Sequence, residues 1–204
     1  MDTKLPMRAN RLEALGDGIF AIAMTILVLE LKLPDIKGDS FHDFIEGFHE
    51  NGVELLCYVI SFIVLGIMWF GHSMMFQFIG RSNRYFIFLG VLFYMFICLI
   101  PFSTRFLAQD FLSWQNISFY AINLSLCNIA IYAQWSYGIK REVLLDRTVT
   151  EDVKKHSRFL FLISPAVYAV AIIFSFWFPL ISIFIFILTP IVYLLPDKID
   201  DYLP

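Results

Sequence analysis

Charge is scarce in this chain. Only 16% of its 204 residues are Asp, Glu, Lys or Arg, against about 25% in an ordinary soluble domain. The formal net charge of −3 implies no polyanionic partner, so nucleic acid is not expected. Cysteine is nearly absent too. The three present, Cys57, Cys98 and Cys127, each lie inside an apolar run, which argues against a disulfide framework and for small buried apolar residues. No His-Glu-x-x-His, Gly-x-Ser-x-Gly, paired-carboxylate site or phosphate-binding glycine loop occurs, so no enzyme and no cofactor are expected. The first apolar run is too long for a signal-peptide core and has no small-residue cleavage site after it, so a mature helix is expected there.

What remains is apolar: 59% of residues are hydrophobic and 18% aromatic. This composition reads as an all-α integral membrane protein, since a spanning helix needs roughly 20 mostly apolar residues. Six spans are expected in a single domain, at about 12–33, 53–79, 85–107, 117–139, 159–177 and 179–196. The last two share one uncharged run, split where Pro179 cannot continue a helix from Phe178. Pro101 and Thr104 mark a kinked end to the third span, where a hydroxyl or water satisfies freed backbone groups. Asn123 and Asn128 are expected to bond across helices. Asn116-Ile117-Ser118 fits a glycosylation motif but abuts a span.

The connecting charges give an orientation. Twelve of the fifteen Lys and Arg fall at the two termini and in the second and fourth loops. The positive-inside rule then puts both termini in the cytoplasm of a multi-pass cell-membrane protein. The first outer loop is acidic, with Asp35, Asp39, Asp43, Glu46, Glu50 and Glu54 against Lys37. Phe41, Phe44, Ile45 and Phe48 recur there at helical spacing, as in a short interfacial helix. Its polar face reads either as solvated charge or as a cation-attracting vestibule. His42, Glu46 and His49 share one face and have metal-ligand chemistry, though a solvated face explains them as well.

The first span poses the sharpest question. Arg11, Leu15, Gly18, Ile22, Thr25, Leu29 and Lys32 follow alternate steps of four and three, a seam of period 3.5. Small and hydroxyl residues in such a seam allow close helix packing in lipid. Repeated around a symmetry axis, the same seam would line a pore, with Ile22, Thr25 and Leu29 as stacked rings and Ile26 beside them. Branched aliphatic rings gate by dewetting, and threonine hydroxyls replace part of a cation's hydration shell. The pattern alone leaves both readings open, the packed interface being the simpler. Asp17 is read as lying roughly opposite the seam, facing the protein, where it must find a partner. Trp69 and His72 on the second span, and Arg11, are the candidates for a polar clamp.

These residues resemble the transmembrane protein 175 family of potassium channels, in its short prokaryotic form. The family signature R-x-x-x-F-S-D, followed eight residues later by threonine, is similar to Arg11, Asp17 and Thr25 here. Trp69 and His72 match its Trp-x-x-His element, and "LIPFST" is similar to the end of its third helix. The motifs cover about half the chain. The resemblance implies a homotetramer of six-span subunits in membrane lipid, with helix 1 lining a central path for monovalent cations and potassium as the permeant ion. It implies Ile22 as the narrow gate, Ile26 and Leu29 as adjacent apolar layers, Thr25 as the selectivity layer, and Arg11, Asp17, Trp69 and His72 as the polar network behind the pore helix. One departure stands out: Leu15-Gly16 replaces Phe-Ser, so a serine hydroxyl is missing. The expected function is a potassium-permeable cation channel. The alternatives are a proton- or solute-coupled carrier and a non-conducting membrane assembly protein.

Overall fold

The computed structural model describes residues 7–32, 38, 40–41, 51–146 and 149–194. The expected interfacial helix and the His42, Glu46, His49 face lie outside the described residues, Phe41 excepted. The described chain is almost wholly helical. Its helices are α1 (Asn10–Leu29), α2 (Gly52–Phe78), α3 (Arg84–Cys98), α4 (Ile100–Gln109), α5 (Trp114–Lys140), α6 (Glu151–Ser175) and α7 (Pro179–Leu194).

Five stretches are long and apolar enough to cross a bilayer: α1, α2, α3 with α4, α5, and Val153–Ser175 of α6. The final apolar helix, α7, is shorter at 16 residues. The expected third span is two helices with a turn at Leu99. Pro101, at the start of α4, has no N–H to return to the preceding turn. One turn of hydroxyls follows it, as Ser103 Oγ and Thr104 Oγ1 both donate to the Ile100 carbonyl at 2.9 and 2.8 Å.

That turn anchors a buried polar chain. Thr104 Oγ1 bonds Ser61 Oγ at 2.8 Å, and Ser61 Oγ bonds the Tyr120 hydroxyl at 2.9 Å. Each hydroxyl has one proton, and the Ile100 carbonyl can only accept. The protons therefore run one way, from Tyr120 through Ser61 and Thr104 to that carbonyl. Asn123 Nδ2 donates to Ser103 Oγ at 3.1 Å, tying α5 to α4. Asn128 behaves differently from expectation, since its amide bonds the Leu124 carbonyl of its own helix. Asn116 is buried and donates to the Phe106 carbonyl at 2.7 Å, a structural role for that asparagine.

α5 is the central helix. Ile117, Tyr120, Ala121 and Cys127 are fully buried, and α5 touches α3, α4, α6 and α7. α1 packs on the other side of the bundle against α2, α3 and α4.

The connections gather at two ends. At one, β1 (Met7–Arg8) pairs antiparallel with β2 (Arg81–Ser82). Ala9 N–H donates to the Gly80 carbonyl at 3.0 Å, and Asp146 N–H to the Phe78 carbonyl at 3.0 Å. The N-terminal segment, the α2–α3 loop and the α5–α6 loop are thus stitched together. At the opposite end, Arg105 meets Glu30 and Lys32 meets Glu54.

Candidate permeation face and the anchor behind it

α1 has two sides. Leu12, Gly16, Phe20, Ala23 and Leu27, spaced by four and three, are buried against the bundle. The seam residues Arg11, Leu15, Gly18, Ile22, Thr25, Leu29 and Lys32 are all exposed in the single chain. Ile22 is 59% exposed, Ile26 38% and Leu29 79%. The helix repeat places these sets on opposite sides, because residues three and four apart share a face.

Thr25 Oγ1 donates to the Ile22 carbonyl at 2.8 Å. The proton is used within the helix, so the oxygen lone pairs remain for the open side. The bond itself is not special, since Ser125, Ser157 and Thr189 make the same kind of back-bond. What sets Thr25 apart is its place on an uncovered seam.

The four residues expected behind α1 do not form one cluster. Asp17 lies on the flank of α1 and is exposed, less enclosed than the sequence reading has it. Trp69 Nε1–H donates to its Oδ1 at 2.9 Å. His72 is fully buried and bonds elsewhere, with Nε2 2.8 Å from the Tyr94 hydroxyl. Tyr94 in turn donates to the Leu12 carbonyl of α1 at 2.8 Å. Since that hydroxyl spends its one proton on Leu12, His72 must carry hydrogen on Nε2 and donate it. His72 Nδ1 is then a buried lone pair with no hydrogen-bond partner among the described residues. Phe20, Phe76 and Phe93 surround the imidazole with ring centroids 4.8 to 6.0 Å away. Arg11 is exposed and joins none of these bonds.

Tyr94 is the residue that sequence reasoning missed. Its signal was weak, one hydroxyl in the aromatic run "LFYMF". Gly16 is the other. A methyl group placed there would lie 2.5 Å from His72 Cε1, 2.7 Å from the Tyr94 hydroxyl and 2.8 Å from His72 Nε2. The lack of a side chain at Gly16 is therefore what lets the His72–Tyr94 pair approach the α1 backbone.

A cavity of about 190 Å³ lies among α2, α5, α6 and α7, lined by Met75, Asn128, Trp135, Ser157, Tyr168 and neighbours, mostly apolar. No Asp, Glu, Lys, Arg or His is among its lining residues. Among the described residues no cluster of His, Cys, Asp or Glu has the makings of a metal site.

The arrangement can be set beside known proteins. Residues 11–101 match the family described as endosomal/lysosomal potassium channel TMEM175. A protein from Chryseobacterium named a potassium channel is 32% identical over 196 residues, covering 94% of this chain and 95% of its own. The chain belongs to the TMEM175 family. A Streptomyces collinus protein also named a potassium channel is 29% identical, with 82% of each chain covered. Among solved structures, a crystal structure of a lysosomal potassium-selective channel TMEM175 homolog from Chamaesiphon minutus superposes with a TM-score of 0.75. It is 27% identical and covers 91% of this chain and 95% of its own. TMEM175 proteins are ion channels, not enzymes, and this member is a multi-pass membrane protein.

Proposed function

We propose that this TMEM175 protein is a potassium-permeable cation channel in the cell membrane. In this reading four copies of a six-span subunit surround an axis, with both termini cytoplasmic and α1 lining the path. Ile22, Ile26 and Leu29 form the apolar constriction, and Thr25 forms the layer that favours potassium over sodium. Trp69, bonded to Asp17, holds the pore helix from beside, and His72 holds it from behind through Tyr94.

The observation that carries the reading is the uncovered face of α1. Beyond the charged first turns of α6, most exposed positions on α6 and α7 are large and apolar, such as Phe159, Leu162, Ile173, Phe184 and Leu188, with Ala166 and Ala169 the small ones. The exposed side of α1 instead mixes Ala14, Asp17, Gly18, Ala21 and Thr25 with its aliphatics. Small and polar residues suit helix packing or a hydrated path better than acyl chains. Lone pairs of the Thr25 oxygen directed from that face suit a partly dehydrated cation. The charge distribution supports the orientation: Arg8, Arg11, Arg81, Arg84, Lys140 and Arg141 gather at the stitched end.

A carrier working through each subunit would need ionisable groups in or beside a membrane cavity. Among the described residues lining the cavity beside α5 the polar groups are an amide, hydroxyls and an indole N–H, with no Asp, Glu, Lys, Arg or His. The deciding experiment is potassium efflux from liposomes, comparing purified protein, empty liposomes and Ile22→Asn. Flux above the empty control, increased in the variant as a polar ring wets the constriction, is expected. No flux from intact protein in either form would remove the channel reading and leave the carrier or assembly role.

A further inference from the structure

The outer end of α1 holds a charge arrangement that the pore reading does not by itself require. Lys32 follows the C-terminal end of α1 and continues the exposed seam. Its Nζ is 2.7 Å from Glu54 Oε1, and its backbone N–H donates to Glu54 Oε2 at 3.2 Å. The side chains differ in exposure, with Lys32 70% exposed and Glu54 16%. The cation stands toward solvent and the anion is tucked behind it, on the first turn of α2.

The other described cation at this end is matched as well, since Arg105 Nη1 lies 2.8 Å from Glu30 Oε2. The opposite end is different. Arg8, Arg11, Arg81, Arg84, Lys140 and Arg141 have no ion pair among the described residues; Arg141 sits over the Tyr137 ring instead. Lys154 does find a partner there, 2.7 Å from Glu151 on its own helix.

A structural role explains part of Glu54. A carboxylate suits the positive end of the α2 dipole, and one oxygen caps a backbone N–H at the end of α1. A neutral glutamine would serve both purposes partly. It would not cancel Lys32. Four uncompensated ammonium groups around an axis would oppose cation entry, because clustered like charge depletes ions of the same sign.

Resting on the permeation reading above, we propose that Glu54 sets cation conductance at the outer mouth by neutralising Lys32. It is a positioning and charge-balancing residue that need not touch the ion. The test is single-channel recording in planar bilayers of the full-length protein, its Glu54→Gln variant, and the Lys32→Gln/Glu54→Gln double variant, in low and high KCl. Glutamine keeps an acceptor for the Lys32 backbone N–H, so equal thermal stability of the three proteins is expected. In low salt, Glu54→Gln should lower unitary potassium conductance about twofold or more, and the double variant should restore it. Near 1 M KCl, where charges are screened beyond about 3 Å, the loss should vanish.

Unchanged conductance in Glu54→Gln at low salt would overturn the proposal and leave the channel reading standing. So would a loss that persists at high salt and is not restored in the double variant, which would make Glu54 a cap only. A wild-type protein that passes no potassium would bring down the permeation reading, and this inference with it.

Discussion

Gly16→Ala adds a single methyl group to the buried side of α1. Its nearest neighbours would be His72 Cε1 at 2.5 Å, the Tyr94 hydroxyl at 2.7 Å and His72 Nε2 at 2.8 Å, all well inside contact distance. Neither neighbour is free to yield. The imidazole is wedged between Phe20 and Phe76, and the Tyr94 hydroxyl is tied to both His72 Nε2 and the Leu12 carbonyl. Overpacking of this kind costs about 1–3 kcal/mol, and losing the Tyr94–Leu12 bond adds about 1 kcal/mol. The better helix propensity of alanine returns up to about 1 kcal/mol. The net expectation is a destabilisation of about 2 kcal/mol. It is read by unfolding purified protein in mixed micelles with increasing SDS. The partner variant Tyr94→Phe removes the hydroxyl that the methyl would strike. Gly16→Ala combined with Tyr94→Phe should therefore cost less than the sum of the single changes. A Gly16→Ala protein as stable as wild type would refute the close-approach argument, as would strict additivity of the two changes.

Two further outcomes follow from the same geometry. Thr25→Ala removes the only hydroxyl on the exposed seam and should reduce discrimination between potassium and sodium; an unchanged bi-ionic reversal potential would take Thr25 out of that role. Ser61→Ala interrupts the Tyr120–Ser61–Thr104 chain in a fully buried site and should cost about 1–2 kcal/mol, measured by the same SDS titration, and a loss under about 0.5 kcal/mol would mean the chain is satisfied in another way.

Composition and periodicity determined much of this protein unaided. A spanning helix needs only length and apolarity, and both are local properties, so the membrane class and the positions of the apolar helices were legible. The charge asymmetry was legible because it is a count along the chain. The two sides of α1 were also present in the sequence, since a period of 3.5 separates Leu12, Gly16, Phe20, Ala23 and Leu27 from Leu15, Gly18, Ile22, Thr25 and Leu29. Which side the bundle covers was not, because either would serve as a helix interface. Tertiary structure decided that the first set is buried and the second open. It also decided which polar groups meet. Asp17 and His72 looked like members of one clamp, yet Asp17 takes Trp69 while His72 takes Tyr94. Gly16 looked like a missing hydroxyl, and it is the gap that admits the His72–Tyr94 pair. Glu54 looked like one acid among six and is the partner of Lys32. Side-chain pairing across helices depends on the rotation and depth of both helices together. No single segment encodes those; they are fixed only when the whole bundle closes.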